Sequence, residues 1–485
     1  MSFSSSKRFT ARRRWRAGLG LLALLVTVAA TLPAVAHGGP YKVKSLQAIS
    51  AGPSLFPSGC PGAFHDAEKP TGLETEPAIT VNPANPRNII ATWKQDVSAA
   101  FNARDDLVAS SLDGGKTWKR STIPGLTRCT GGTSDTASDP WVSAAGDGTV
   151  YFGGQSGLTS TDPLPLVAIV ASHSGDGGRH WAAPTTVAPR LGGNETPAVT
   201  GSPTLAGHAY MVWANFPPPQ TVPPPWANTV SFSRTTDGGI TWSPPVLVDQ
   251  PGPFAIDQAP RIRVLPNGTL LAIFARGDFA TGLAELRVAR SLDEGQTWQP
   301  ALLAGAFPLP LEEVVDPETG EQLPQPGFAS SVVAPDGTVY IAFEHSTAPD
   351  AGEIGVLSSR DGGLTWSSSK LPGVSAFAWE PVIAVDQHGT VGVIWYDIRN
   401  DRPGDGMTSA DVWFAHSKDR GASWRQTHVA GPTDIRTGGT PAQNRFGEYQ
   451  GLAGLRKGFA AAFGLASPQA QDGRTDIFFA RIGPG

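Results

Sequence analysis

The sequence predicts an all-β chain assembled from repeated four-stranded units, and three observations carry that prediction. An eight-residue turn recurs six times, centred on Asp113, Asp176, Asp237, Asp293, Asp361 and Asp419. The Asp-to-Asp intervals of 63, 61, 56, 68 and 58 residues are the near-constant period that stacked supersecondary units leave in a sequence. Between the turns, apolar runs are broken by Asp147-Gly148, Asn267-Gly268 and Asp336-Gly337, dipeptides that supply the positive φ of tight hairpins. No long stretch carries the helical apolar period.

The turn reads [Ser/Thr]-x-Asp-x-Gly-x-x-Trp, first as Ser111-Leu-Asp113-Gly-Gly115-Lys-Thr-Trp118. Asp accepts hydrogen bonds from the turn's own amides, Gly supplies a positive φ and Ser/Thr adds a local bond. Trp is too large to leave exposed and packs beneath the turn. Each turn offers one carboxylate, too few for Ca²⁺, which takes six to eight oxygens. The turn is therefore architectural.

On these residues the chain resembles the Asp-box, or bacterial neuraminidase repeat, proteins of the sialidase-like β-propeller superfamily, over about residues 71–485. It shares with secreted Asp-box proteins the stretches Glu76-Pro77-Ala-Ile-Thr-Val-Asn82-Pro83, Ser138-Asp139-Pro140-Trp141 and Glu448-Tyr449-Gln450-Gly451. The resemblance implies a propeller of four-stranded blades. After the sixth Asp-box there is sequence for three more strands, 450–455, 458–463 and 476–481, and 43–49 has no other partner. An N-terminal strand completing the last blade would close the ring and remove exposed edges. Seven blades follow, with six as the alternative.

Residues 1–36 read as a secretory signal peptide: a basic segment, an apolar run from Gly18 to Ala30, and Ala34-Val35-Ala36 as the cleavage site. Residues 37–70 are then an N-terminal segment holding the ring-closing strand. Losing the leader removes six positive charges and leaves 31 Lys+Arg against 42 Asp+Glu, a net charge of −11. That excludes a nucleic-acid partner, whose phosphates demand a basic footprint, and a generic anionic-membrane binder. A secreted monomer that does not insert in the membrane after cleavage is expected. Cys60 and Cys129 are an even pair for an oxidising compartment and suggest one disulfide.

Strand polarity locates function. The Asp-boxes and the hairpins joining the first two strands lie at one end of each blade, so the remaining loops lie at the other. At that far end the first strands begin with acids: Glu76, Asp139, Glu195, Asp257, Glu380 and Glu448. Clustered carboxylates raise one another's pKa, which is how a general acid arises at neutral pH. Sialidases of the resembled superfamily use a Tyr nucleophile, carboxylates and three Arg on the substrate carboxylate. Carried onto this chain, that implies Tyr449 with Glu380, Asp139 and Glu76 as catalytic residues. Arg276, Arg399 and Arg445, with Trp379 and Trp226 for sugar stacking, would bind substrate; Arg261 and Arg263 are further candidates. The Arg-Ile-Pro of the family's first blade is absent, with Glu76-Pro77 in its place.

Three functions compete. The first is exo-hydrolysis of terminal acidic sugars on extracellular glycans. The second is a non-catalytic glycan- or protein-binding propeller. The third is a polysaccharide lyase on uronates, for which Tyr396, His345 and Arg276 are the available set. Nothing implies an organic cofactor, and no single loop has metal-ligand spacing.

Overall fold

The computed structural model describes residues 39–53, 55–57, 60, 72–97, 103–158, 166–190, 193–216, 228–309, 314–316, 318–324, 328–346, 348–402, 404–439, 445–466 and 475–485. The expected leader and Trp226 lie outside them.

The strands of these residues form five four-stranded antiparallel sheets and one eight-stranded sheet. The eight-stranded sheet is two meanders, Glu74–Val81 to Lys119–Thr122 and Thr136–Ala144 to Thr185–Ala188, joined by one bridged pair, Ala103 and Ala137. Four further meanders follow in chain order, opening with Gly193–Gly201, Ala255–Val264, Ser330–Val333 and Ala378–Val385. The remaining sheet combines both ends of the chain. Its order is Tyr41–Ala48, Thr475–Pro484, Phe459–Ala466 and Gly451–Gly454, the first two paired antiparallel. The N-terminal strand thus takes the outer position expected for it, and starts two residues before the expected 43. Tyr41 anchors it, 2% exposed and stacked 4.0 Å from the His416 ring of the neighbouring sheet.

First strands pack on one another in sequence. Glu74–Val81 meets Thr136–Ala144, which meets Gly193–Gly201, then Ala255–Val264, Ser330–Val333, Ala378–Val385 and Gly451–Gly454, and the last returns to Glu74–Val81. Small residues allow the approach: a Cβ on Gly454 would stand 2.0 Å from the Val385 carbonyl oxygen.

The recurring aspartate turns are wired as their chemistry dictates. Asp113 Oδ1 accepts from Ser111 Oγ at 2.8 Å and from the Lys116 and Thr117 amides at 2.9 Å, and Oδ2 accepts from Thr117 Oγ1 at 2.7 Å. The same bonds recur around Asp361. The turn's conserved spacing has a second cause beyond φ. The second glycine lies on the preceding meander: a Cβ on Gly115 would meet Phe479, on Gly178 Ile90, on Gly239 Tyr151 and on Gly295 Phe232. The Trp pins act the same way, Trp118 against Phe479 at 5.0 Å and Trp298 against Phe232 at 5.3 Å. The turn therefore locks one sheet to the next as well as capping its own hairpin.

At that same end, Asn88 Nδ2 donates to the carbonyls of Ser111 and Gly177 at 3.1 and 3.0 Å. A loop between first and second strands is thereby tied to two of the aspartate turns. Cys60 and Cys129 are joined by a disulfide, their Cα atoms 5.4 Å apart.

Candidate functional site

Five first strands carry an X-Pro step, before Pro77, Pro140, Pro197, Pro260 and Pro381. In each, X sits at positive φ: Glu76 at 55°, Asp139 at 52°, Thr196 at 50°, Ala259 at 49° and Glu380 at 52°. The ladder register slips at each of these steps. Proline has no N–H to give the ladder, so pairing lapses and the strand bulges. Non-glycine residues held at such φ cost about 1–3 kcal/mol each and gather where the fold uses the strain. Here the bulges bring acids from different strands together.

Lys94 is their hub. It is fully buried, with Nζ 2.8 Å from Glu76 Oε1 and 3.3 Å from Asp139 Oδ1. Burial alone would depress the Lys94 pKa, but Glu76, Asp139 and Glu448 outweigh it and hold the ammonium charged. Asp139 also accepts from Ser138 Oγ at 2.8 Å, Gln155 Nε2 at 2.6 Å and the Thr196 amide at 2.9 Å. These donors hold its side chain in place beside the charged Lys94.

Around this fixed charge the other carboxyls move up. Glu76 rises to about 8 through burial, against the pull of Lys94. Asp106, which pairs with Lys94 across the strands, and Glu380 are raised well above the ordinary range, burial being the main cause in both. Neither Glu380 oxygen has a hydrogen-bond partner among the described residues, as suits a neutral carboxyl rather than a charge. Two members reach solvent. Glu448 is half-buried and raised to about 7 by burial and then by Asp139. Glu195 has exposed surface yet is flanked by enough protein to lose hydration, and with Asp139 acting as well it also rises to about 7.

Tyr449 and Glu448 both belong to the cluster because the strand begins only at Gly451, so strand alternation does not separate them. Tyr449 is 5% exposed, its OH donates to the Pro140 carbonyl at 3.1 Å, and its ring lies 5.6 Å from Trp141. Burial, then Glu76 and Asp139, raise its pKa well above the ordinary value. Arg261 stacks over Trp141 at 4.3 Å and over Tyr449 at 5.8 Å. Burial lowers its pKa to about 10, which leaves it cationic at neutral pH.

The other expected substrate-binding residues are engaged elsewhere. Arg276 is held by Asp257 at 2.7 Å and by Asp249. Arg399 donates to Asp397 at 2.7 Å and Gln426 at 2.6 Å, stacked 4.3 Å over Trp413. Arg445 pairs with Glu321 and donates to the Gly439 carbonyl at 3.2 Å. Trp379 corrects the expectation of a sugar-stacking loop residue: it lies within Ala378–Val385, 0% exposed, stacked 5.2 Å from Tyr396. Tyr396 is buried as well, its OH donating to the Gly464 carbonyl at 2.9 Å, so the lyase set does not assemble around it. Among the described residues, no group of three or more His, Cys, Asp or Glu is arranged to hold a metal ion.

Sequence reasoning passed over Lys94. Its signal was a lysine inside a run otherwise fit for burial, Ile89-Ile-Ala-Thr-Trp93-Lys94. Glu76-Pro77 and Asp139-Pro140 stand out in the sequence, and the steps before Pro197, Pro260 and Pro381 repeat them.

No family model matches the chain. Over 256 residues it is 25% identical to a sialidase of Micromonospora viridifaciens, a match covering 50% of this chain and 33% of that protein. The chain thus spans about a third of the length of that curated relative. Solved structures of similar shape include a protein of unknown function from Dyadobacter fermentans (TM-score 0.49, 12% identity, 92% of this chain and 100% of that one). Another is the Hadza microbial sialidase Hz136 (TM-score 0.46, 15% identity, 79% and 74%). A third is an alpha-L-arabinanase of Penicillium chrysogenum complexed with arabinobiose (TM-score 0.47, 18% identity, 73% and 93%). At these scores the likeness carries no inference about activity.

Proposed function

We propose that the chain is a secreted, sialidase-like glycoside hydrolase that removes a terminal sugar from extracellular glycans at the acid cluster. Glu448 is the proton donor and Glu195 the base. One observation carries the reading: two solvent-reachable carboxyls, Glu448 and Glu195, are both raised to about 7 beside the hydrogen-bonded Asp139. A pair poised near neutral pH can hold one proton between them, as general acid–base catalysis needs. The more buried Glu448 gives its proton to the leaving glycosidic oxygen. The exposed Glu195 takes a proton from a water, whose oxygen bonds to the anomeric carbon as the glycosidic bond breaks. Lys94 and Asp139 hold the field that poises the pair. Tyr449, protonated and bonded to Pro140, positions Arg261 and Trp141.

The leader-like residues 1–36 support secretion, and the cycle of packed first strands supports a propeller of seven blades closed by the N-terminal strand. The partial sequence match to a sialidase supports a glycan substrate. The charge balance favours a neutral terminal sugar over an acidic one. Arg276, Arg399 and Arg445 are each neutralised by a carboxylate, whereas a sialate would need such forks free.

The test is a panel of chromogenic aryl glycosides, neutral and sialylated, given to the secreted protein after its fold is verified by circular dichroism. Release from a neutral glycoside that outpaces release from the sialoside is the expected result. Faster sialoside release would overturn the substrate class, and no release from any member would overturn the hydrolase. One observation favours the second reading, a non-catalytic glycan-binding module. Asp139 is saturated by bonds that join neighbouring strands, the pattern of an inter-sheet clamp.

A further inference from the structure

A cavity of about 310 Å³ lies between the sheet that opens with Ala255–Val264 and the one that opens with Ser330–Val333. It is distinct from the acid cluster but shares a wall with it. Phe328 lines the cavity and also lies 6.0 Å from the Arg261 guanidinium. The volume is at the small end of the roughly 300–1,000 Å³ typical of small-molecule sites, which suits a ligand of one or two rings.

The lining combines flat apolar faces with a polar edge. Phe307 and Phe343 stack 5.1 Å apart and 6° from parallel, and the His345 ring lies 5.8 Å from Phe307. Phe279 also lines the cavity and is 54% exposed, a large apolar ring left open to water. His345 Nε2 is buried and has no hydrogen-bond partner among the described residues, a state that costs free energy until a partner arrives. The charge pattern is selective. Arg276, the cation on the lining, is taken by Asp257 and Asp249, and Glu285 is matched by Arg287 at 2.6 Å. With both of these charges matched among the described residues, the lining holds no uncommitted guanidinium for a ligand carboxylate.

We infer that this cavity is a second sugar site for one or two neutral sugar rings. The apolar C–H faces of the sugar lie on the phenylalanines, and a hydroxyl meets His345. The inference rests on the reading of the chain as a glycan-handling protein, and it reassigns Arg276 from gripping a substrate carboxylate to being a neutralised wall. Because Phe328 separates it from Arg261, a glycan longer than one ring can occupy both places.

The experiment is isothermal titration with glucose, galactose, arabinose and their disaccharides, and with glucuronic and sialic acids as charged arms. Wild type is compared with Phe279→Ala, a surface change, and with His345→Ala. At least one neutral sugar should bind, and each variant should weaken it by about tenfold, the scale of a lost aromatic contact. Tighter binding of an acidic sugar, unchanged binding in both variants, or no neutral sugar bound by wild type would overturn the inference. Two outcomes separate it from the hydrolase reading. Phe279-dependent binding without turnover of any glycoside leaves this site standing and removes the hydrolase. Turnover with kcat and KM unchanged in both variants does the reverse.

Discussion

Replacing Lys94 with Met tests the electrostatic hub of the acid cluster. Methionine is close to the lysine stem in volume, so the packing around this fully buried side chain is nearly kept and the lost ammonium dominates. Glu76 at 2.8 Å and Asp139 at 3.3 Å then lose their counter-charge. Removing one partner of a buried pair costs about 3–5 kcal/mol. The cost depends on pH, because Glu76, already raised to about 8, can take a proton, whereas Asp139 keeps its donors in Ser138, Gln155 and Thr196. Urea unfolding at pH 8 should show the full loss. At pH 5, where Glu76 is neutral in wild type as well, the loss should fall to about 1–3 kcal/mol, the scale of one lost bond to a charged group. The double variant Lys94→Met/Glu76→Gln should recover part of the loss at pH 8. A change below about 1 kcal/mol at pH 8, the worth of an exposed pair, would refute the reasoning. So would an equal loss at both pH values with unchanged m.

Three further outcomes follow from the same structure. Glu74 and Glu76 are raised to about 8 and Asp105 to about 7, each chiefly by burial. Above the ordinary carboxylate range the unfolded chain releases protons that the folded chain keeps, so stability should fall from about pH 5 to pH 8. The Asp237 and Asp293 carboxyls, lowered to about 2 by the Thr241 and Thr297 hydroxyls and amides, act oppositely. Their contribution is present above the ordinary range and lost as pH falls to about 2. Melting temperatures from pH 2 to 9 should therefore peak near pH 5, and a rise from pH 5 to 8 would contradict this. Gly295→Ala should cost more than Gly238→Ala. Both have φ above +80°, but a Cβ at Gly295 would stand 2.1 Å from Phe232, while Gly238 has nothing within 4 Å. Overpacking should add about 1–3 kcal/mol at Gly295, measured by urea midpoint. Cys60→Ser/Cys129→Ser opens a bond across 69 residues and should lower stability by about 4 kcal/mol in the chain-entropy picture; an unchanged midpoint would contradict it.

The fold was legible because its signals are local. The aspartate turn is stabilised by its own backbone and side chains, so eight residues announce it. What the turn does to its neighbour was not legible. Gly295 reads as a φ requirement, and that Phe232 lies against it depends on the next sheet. The site was legible in composition and less so in roles. Acids at the start of the first strands were visible, and Glu76 and Asp139 do meet at Lys94, whose charge Glu448 also helps to hold. Which carboxyl stays neutral is a matter of burial, as at Glu380, and burial is set by strands far apart in sequence. Trp379 misled because a loop was expected where the strand had already begun. The arginines misled for a related reason. Arg276 is bound by Asp257, 19 residues away, and by Asp249, 27 away, so its charge was spent on partners the local sequence does not display.

An acid–base pair formed by Glu448 and Glu195 leaves its signature in the pH dependence of kcat/KM, compared across wild type, Glu448→Gln and Glu195→Gln. Both carboxyls sit at about 7, so wild type should give a narrow bell centred near neutral pH. Its acid limb reports Glu195 ionising and its alkaline limb Glu448 losing its proton. Glu448→Gln should lower the rate by about 10²–10⁴-fold and abolish the alkaline limb, and Glu195→Gln should abolish the acid limb. A bell unchanged in shape and height in both folded variants would contradict the assignment.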